Sequence, residues 1–235
     1  MKQIVKSILK KFGYQLVPIP VILKGEVVKN KRYKLLKYDQ TKDAEVYRKS
    51  QEDGNIQKIK NVWAKPDNIE QVADYLLSVN PKPDFILCHG TRNGFEQNIF
   101  SRKLGCKVLG TEISSTATQF PMTIQWDFHN VKDEWLNNVD LIYSNSLDHS
   151  HSPIECLQAW ISCLKPGGLL VIDKASDSDP HRVTDMDPFG ITFDNLVMLL
   201  LESFTEQIMI RSILSPREKK ENTNFHGLLV VQKIG

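Results

Sequence analysis

The sequence lacks the features of disulfide-stabilised proteins. Only four of its 235 residues are cysteines, and no two of them form a Cys-x-x-Cys pair. Cys156 and Cys163 fall in one predicted helix, where their spacing separates them by about 10 Å along one face, too far for a disulfide bond. This pattern predicts reduced thiols and a cytoplasmic protein.

Long apolar runs and a dominant charge are also missing. The sequence contains no run of 18 apolar residues, so no segment is predicted to span a membrane. Lysine and arginine number 30 against 28 acidic residues, and a net charge of +2 does not predict a general nucleic-acid binder. No internal repeat is visible, and 235 residues suffice for one sizeable core.

Basic residues are concentrated at the start of the chain. Residues 1–12 have helical periodicity with lysines opposite the apolar face, which predicts a short basic amphipathic helix. Such a helix can bind an anionic membrane, but its short length and its lack of tryptophan favour packing on the protein or on a second copy. Residues 13–66 are polar and are predicted to be irregular, with 49–61 as a loop. We therefore predict that residues 1–66 form a basic extension that caps the core.

From residue 67 onward, predicted strands and helices alternate. The predicted strands are residues 85–88, 107–112, 123–126, 140–144, 169–173, 207–214 and 227–233. The predicted helices are residues 67–80 with Asp67 as the N-cap, 94–104, 115–119, 131–136, 153–164 and 194–202, while 174–192 is predicted to be a loop. Alternation predicts a parallel sheet covered on both faces, and the last two strands, joined by a short loop, must pair antiparallel. Residues 67–235 are thus predicted to form an α/β domain with a doubly wound, seven-stranded, mostly parallel sheet and an antiparallel last strand.

Ligands of doubly wound sheets bind beyond the carboxyl ends of the strands. The turn after the first predicted strand contains Gly90 and Gly94, which let the backbone approach a ligand at a helix N-terminus. By itself this turn fits a structural corner equally well. Glu112, however, ends the next strand 22 residues after Gly90, a spacing typical of an acid that binds the two hydroxyls of a ribose. The two features together favour a nucleotide-type site.

The next two strand ends are also polar. Asp127 follows the third strand and can accept a hydrogen bond from an adenine amine, with Trp126 or Phe128 as an apolar wall or as core packing. The fourth strand leads into the polar run YSNSLDHSHSP, residues 143–153, where a substrate is expected to meet the cofactor. Loop 174–192 is expected to form part of the acceptor pocket. Trp63 can close over the cofactor, although ordinary packing is favoured.

Histidines in this region are candidates for a general base. His149 is the first candidate, with Asp148 placed to orient it, and His151 and His181 are alternatives. A structural or solvated loop role for His149 fits the sequence equally well. The pair of histidines beside Asp148 also resembles a metal-binding pattern, but the lack of cysteine ligands or a third histidine nearby predicts no metal site.

Five segments resemble, as a series, the motifs of class I S-adenosylmethionine-dependent methyltransferases, most of all their small-molecule, type-11-like branch. The segments are DFILCHGTRNGFE (84–96), VLGTEIS (108–114), QWDFHN (125–130), VDLIYSNSLDHS (139–150) and LKPGGLLVID (164–173). The resemblance covers residues 67–235. The first motif departs from the usual pattern because Cys88 stands where many relatives carry an acid, which argues against a carboxylate contact from this loop to the amino group of the cofactor.

The resemblance implies S-adenosylmethionine as cofactor and assigns its binding residues. The residues around the methionine part would be Gly90, Arg92, Asn93 and Gly94; those at the ribose would be Glu112 with Ile113 beside it; those at the adenine would be Asp127 and Phe128; and those along the path of the methyl group would be Asn145 and Ser146. The implied reaction is methyl transfer to oxygen or nitrogen of a small polar acceptor, such as a sugar or glycan precursor.

Two other functions remain open from the sequence. A nicotinamide-dependent oxidoreductase also uses a glycine turn and a distant acid, but the full three-glycine fingerprint is missing. A non-catalytic binding protein on the same fold is disfavoured because Glu112, Asp127 and Asn145 are all present. A nucleic-acid substrate is disfavoured because the segment after the fourth strand lacks the Asn/Asp-Pro-Pro-aromatic signature of base-methylating relatives.

Overall fold

The structure is a computed structural model that describes residues 26–37 and 44–235, so the helix predicted over residues 1–12 lies outside the described residues. Its strands, in chain order, are β1 (Glu26–Lys29), β2 (Tyr33–Lys37), β3 (Phe85–His89), β4 (Lys107–Glu112), β5 (Thr123–Gln125), β6 (Val139–Ser144), β7 (Leu164–Ala175), β8 (Phe189–Ile191), β9 (Ile208–Leu214) and β10 (His226–Lys233). Its α-helices are α1 (Ala44–Gln57), α2 (Pro66–Val79), α3 (Phe95–Leu104), α4 (Pro153–Cys163) and α5 (Phe193–Phe204).

Seven of these strands form one sheet in the order β5-β4-β3-β6-β7-β10-β9. Strands β3 to β7 pair in parallel, and β10 lies antiparallel between β7 and β9. The predicted doubly wound sheet with an antiparallel last strand is therefore confirmed. The chain winds from β3 towards β5 on one side and from β6 outward on the other, so the switch point lies between β3 and β6, where such sheets bind ligands.

Both faces of the sheet are buried beneath helices. Strands β3 and β6 are buried along their whole length, as expected for parallel strands covered on both faces. Helices α2 and α3 pack on one face with Ile69 and Phe100, while α4 and α5 pack on the other with Trp160 and Leu200. Within the described residues, no helix is long and apolar enough to cross a membrane.

The prediction that residues 13–66 are irregular is wrong for the described part of that segment. Strands β1 and β2 form a hairpin that Asn30 stabilises by accepting backbone hydrogen bonds from Arg32 and Tyr33, both at 2.8 Å. Helix α1 occupies most of the loop predicted over residues 49–61, and α2 begins at Pro66. Asp67 is not the N-cap of α2: Lys65 holds that position, because Pro66 is preorganised for the first helical turn.

Several other elements differ in length or type from the prediction. The loop predicted over residues 174–192 contains β8, which pairs antiparallel with β2 and so joins the N-terminal hairpin to this loop. The helices predicted near residues 115–119 and 131–136 are 3-10 turns, Ser115–Gln119 and Asp133–Trp135. Strand β7 is longer than predicted and begins at Leu164, directly after α4.

Candidate functional site

Two adjoining cavities form a cleft at the carboxyl ends of the central strands. The larger has a volume of about 260 Å³ and the smaller about 40 Å³, and both are lined by Gly90, Arg92, Ser146 and His149. Of the other predicted residues, Asn93, Asn145 and Asp148 line the larger cavity. The smaller cavity is lined by Glu112, Ile113, Asp127 and Phe128. The topology thus brings eleven predicted site residues, from four strand ends, to one cleft.

Gly94 and His181 line neither cavity. Gly94 instead ends the turn in the left-handed region, with φ of 75°, as the N-cap of α3. Its place is structural, because a Cβ there would lie 3.3 Å from the Phe120 side chain. His181 is exposed on the 3-10 turn Pro180–Arg182, away from the cleft, and is not kept as a base candidate.

The turn after β3 approaches the segment after β6 very closely. Gly90 and Arg92 have φ of 74° and 45°, so the backbone reverses within a few residues. The Ser146 hydroxyl donates to the Gly90 carbonyl oxygen at 3.1 Å, and a Cβ on Gly90 would lie 2.5 Å from the Cβ of Ser146. No side chain larger than hydrogen fits at position 90 in this conformation.

Glu112 is a buried hydrogen-bond acceptor at the end of β4. Its carboxylate accepts from the backbone N–H of Arg92 and of Ser114, each at 2.9 Å, and from Asn55 Nδ2 at 2.5 Å. Burial raises the pKa of Glu112. The backbone N–H donors and the Arg92 cation lower it, but burial has the larger effect and the net shift is upward. Helix α1, which sequence analysis missed, therefore places an amide on the acid that was predicted to bind a ribose.

Asp127 is held ionised by a neighbouring histidine. His129 donates to Asp127 Oδ1 from its backbone N–H at 2.9 Å and from its ring Nδ1 at 2.6 Å, while its Nε2 accepts from Ser150 Oγ at 2.8 Å. Burial raises the pKa of Asp127, but the hydrogen bonds from His129 outweigh it and the net shift is downward. Both of these hydrogen bonds are to Oδ1, and no described residue donates to Oδ2. His129 was not predicted as a site residue, although its position two residues after Asp127 could have indicated this contact.

The two aromatic neighbours of Asp127 have different roles. Phe128 lines the smaller cavity, and its ring packs edge-on against Trp160 with 5.6 Å between centroids. Trp126 instead contacts Trp135 at 5.7 Å, outside both cavities. Of the two residues suggested as an apolar wall, Phe128 is the one in position.

His149 lines both cavities, and its contacts define which ring nitrogen carries the proton. Its Nδ1 donates to the Met186 carbonyl oxygen at 2.9 Å and lies 3.2 Å from Asp187 Oδ1. Because a carbonyl oxygen only accepts, the neutral ring carries its lone pair on Nε2. Burial lowers the pKa of His149, but the carboxylates of Asp148 and Asp187 outweigh it, so the net pKa is raised.

His151, the alternative base, lies on the other side of Asp127. Its ring stacks on His129 with 3.9 Å between centroids, its Nδ1 contacts Ser152 Oγ, and it lines neither cavity. Burial, together with the nearby His129, lowers its pKa to about 4. Of the histidines suggested as a base, His149 is therefore the one that lines the cleft.

Two groups of side chains have ligand-type atoms within 4.8 Å of one another, Asp127 with His129 and His151, and Asp148 with His149 and Asp187. In both groups a histidine Nδ1 already donates to an oxygen atom of the protein. The absence of a metal stays a prediction.

Several residues of the larger cavity were not predicted as site residues from the sequence. They are Lys58, Glu96, Asp173 and Lys220, which come from four different segments. Asp173 accepts hydrogen bonds from the Tyr143 hydroxyl and from His226 Nε2, at 2.9 and 2.7 Å. Asp177 and Asp187 of the predicted acceptor loop also line this cavity.

The preference for ordinary packing of Trp63 is wrong. Its side chain is 54% exposed and lines the larger cavity, because it lies in the irregular segment between α1 and α2 that runs along the rim.

No protein-family model matches the sequence, and no curated protein matches it significantly. Solved structures do match the fold. A *Burkholderia thailandensis* 1,6-didemethyltoxoflavin-N1-methyltransferase, solved with 1,6-didemethyltoxoflavin and S-adenosylhomocysteine, gives a TM-score of 0.60 at 15% identity, over 89% of this chain and 99% of that one. The plantazolicin methyltransferase BpumL, in complex with a triazolic desmethylPZN analogue and S-adenosylhomocysteine, gives 0.61 at 17% identity, over 84% and 99%.

A third match has a different reaction. The [4+2]-cyclase SpnF gives a TM-score of 0.55 at 12% identity, over 71% of this chain and 81% of that one. These comparisons show that the chain has the Rossmann-like fold of class I S-adenosylmethionine-dependent methyltransferases. The cyclase also shows that this fold is found with more than one chemistry.

Proposed function

We propose that this protein, with its class I methyltransferase fold, is an S-adenosylmethionine-dependent methyltransferase that acts on a small polar acceptor. The observation that carries the proposal is the set of three groups that line the smaller cavity: a buried carboxylate at Glu112, an ionised carboxylate at Asp127 and the Phe128 ring. These groups match a ribose diol, an adenine amine and an adenine face. The turn at Gly90, which has no room for a side chain, fits the close approach of a ligand to the backbone.

The residues of the larger cavity suit the transfer step. Bound S-adenosylmethionine would supply an electrophilic methyl group on its sulfonium. The protein then has to align the acceptor with that group and exclude water. Asn145 and Ser146, after β6, lie where the path of the methyl group is proposed, and His149 Nε2 is the proposed acceptor of a proton from the attacking hydroxyl or amine.

The lining of the larger cavity supports a polar acceptor. Lys58 and Lys220 supply positive charge, and Asp177 and Asp187 supply negative charge. The two structural neighbours described above as methyltransferases were solved with 1,6-didemethyltoxoflavin and with a triazolic desmethylPZN analogue. A sugar or glycan precursor, methylated on oxygen or nitrogen, is the acceptor class that we propose, because such molecules carry several hydroxyls that charged side chains can bind.

The test is isothermal titration calorimetry with S-adenosylhomocysteine and, as a control ligand, NAD. We expect binding of S-adenosylhomocysteine and none of NAD. Glu112→Ala is expected to weaken binding by about 1–3 kcal/mol, the scale of hydrogen bonds lost at a buried charged group.

Glu70→Ala, at an exposed position of α2, is the matched control and should bind like the unmodified protein. Binding of NAD would instead support the oxidoreductase alternative. Binding of S-adenosylhomocysteine without methylation of any acceptor in a broad panel would support a non-methylating role such as that of the cyclase neighbour.

Trp63 is expected to contribute to acceptor binding. Its exposed indole at the rim offers a flat apolar surface to a sugar or heterocyclic ring. Trp63→Ala should raise the KM for the acceptor by about 3- to 10-fold, equivalent to 0.5–1.5 kcal/mol of ring contact, and leave the affinity for S-adenosylhomocysteine unchanged. Steady-state kinetics with Trp63→Phe as the conservative control will check this, and an unchanged KM in Trp63→Ala would contradict it.

A further inference from the structure

Glu96 is a buried carboxylate at the larger cavity that the transfer chemistry does not use. It lies in the first turn of α3, is only 6% exposed and lines that cavity. Its Oε2 atom is buried and has no hydrogen-bond partner among the residues that the structure describes. A buried carboxylate oxygen without a donor is unfavourable, so this position favours a ligand that brings a donor or a positive charge.

Among the residues that the structure describes, no cation is paired with Glu96. Arg92 is the cation whose field reaches Glu96, but its guanidinium Nε donates to Asn55 and it forms no ion pair with Glu96 in the described structure. Burial raises the pKa of Glu96 to about 7, with a smaller opposing effect from Arg92. The titratable groups that interact with Glu96 from the surrounding elements are Cys88, Arg92, Glu112, Tyr143 and Asp173.

The location of Glu96 is informative because of Cys88. Cys88 is fully buried in β3, at the position where the glycine-turn motif ordinarily carries an acid, and Glu96 is close enough to raise the pKa of its thiol. The carboxylate missing from the strand is therefore present nearby, on the first turn of the following helix.

We propose that Glu96 binds the α-ammonium group of the cofactor and so replaces the acid that this chain lacks at Cys88. The inference rests on the proposed function, since it requires a ligand of the S-adenosylmethionine type. Such a ligand has two cationic groups, and the ammonium is the one that fits, because it donates hydrogen bonds to Oε2 and a sulfonium has no hydrogen to donate.

The experiment compares S-adenosylhomocysteine with its deamino analogue, in which hydrogen replaces the amino group, by calorimetry on the full chain. The unmodified protein should bind S-adenosylhomocysteine at least about 10-fold more tightly, as expected for a charge-assisted hydrogen bond. Glu96→Gln should lose most of this preference by weakening S-adenosylhomocysteine alone. Glu70→Gln, on the exposed face of α2, is the control and should keep the preference.

A second measurement uses the unmodified protein alone. Because the ammonium binds the ionised carboxylate, the affinity for S-adenosylhomocysteine should fall as the pH is lowered from 8 to 6, and the affinity for the deamino analogue should fall less. Titrations that do not act on the ammonium affect both ligands alike, so the difference between the ligands reports on the surroundings of the ammonium even if Glu96→Gln does not fold.

The outcomes separate the two proposals. If the unmodified protein binds neither ligand, the proposed function itself fails. If it binds both with equal affinity, or if Glu96→Gln retains the full preference, the cofactor assignment stands and the role of Glu96 is overturned.

Discussion

Replacement of Gly90 by alanine is expected to destabilise the protein by about 2–5 kcal/mol and to weaken S-adenosylhomocysteine binding by at least about 10-fold. Part of this cost is the left-handed backbone, φ of 74°, which costs an L-residue roughly 1–2 kcal/mol. The rest is overpacking, because the new Cβ would lie 2.5 Å from the Cβ of Ser146, and overpacking typically costs about 1–3 kcal/mol. Relief of the contact requires the β3 and β6 turns to separate, which widens the cleft at its centre.

Thermal unfolding and calorimetry on one set of variants separate these causes. Gly105→Ala is the matched control, because Gly105 also has a positive φ, 63°, but a Cβ there meets nothing within 4 Å. It should show the backbone cost alone and bind S-adenosylhomocysteine normally. Adding Ser146→Gly to Gly90→Ala removes the steric contact and should restore part of the stability. Normal binding by Gly90→Ala would show that this turn does not contact the cofactor.

The sheet could be predicted from the sequence because its strands and helices have strong, simple patterns. Strands β3 and β6 are short apolar runs buried on both faces, and helix α2 has an apolar stripe at helical spacing. The strand-end residues followed directly from the sheet, since parallel strands bring their carboxyl ends to one edge. The predictions for Glu112 and Asp127 used only this rule and the sequence spacing, and the structure places both in the smaller cavity.

Helix α1 could not be predicted because, apart from Val46 and Tyr47 near its start, its buried face carries no large apolar side chain. Gln51 is buried and donates to the Met186 carbonyl oxygen, and Asn55 donates to Glu112, so no apolar periodicity marks the helix. Gly54 lets Met186 pack against the helix: a Cβ there would lie 2.0 Å from the Met186 methyl group. The contacts with Met186 join segments more than 100 residues apart, which no local pattern reveals.

The residues that complete the larger cavity were missed for a related reason. Lys58 and Lys220 lie in polar segments that resemble ordinary solvated loops, and only the fold brings them to the same cavity. Glu96 is the last residue of the first motif, 84–96, but a glutamate in a first helical turn is usually an exposed partner of the helix dipole. Its burial depends on the tertiary packing of α3 and is not encoded in local spacing.

Replacement of His149 by glutamine is expected to lower kcat by about 10²-fold or more, the usual contribution of a general base, with S-adenosylhomocysteine affinity little changed. The base must be neutral to accept a proton, so kcat should rise with pH through the pKa of His149. That pKa is raised above its usual 6.5 because Asp148 and Asp187 outweigh burial. Asp187→Asn removes one of the two carboxylates and should therefore move the inflection to lower pH.

Single-turnover rates across pH will measure both effects, with the exposed His181→Gln as a control that should leave the profile unchanged. Full activity of His149→Gln would mean that alignment of the acceptor suffices and that the proton leaves to water.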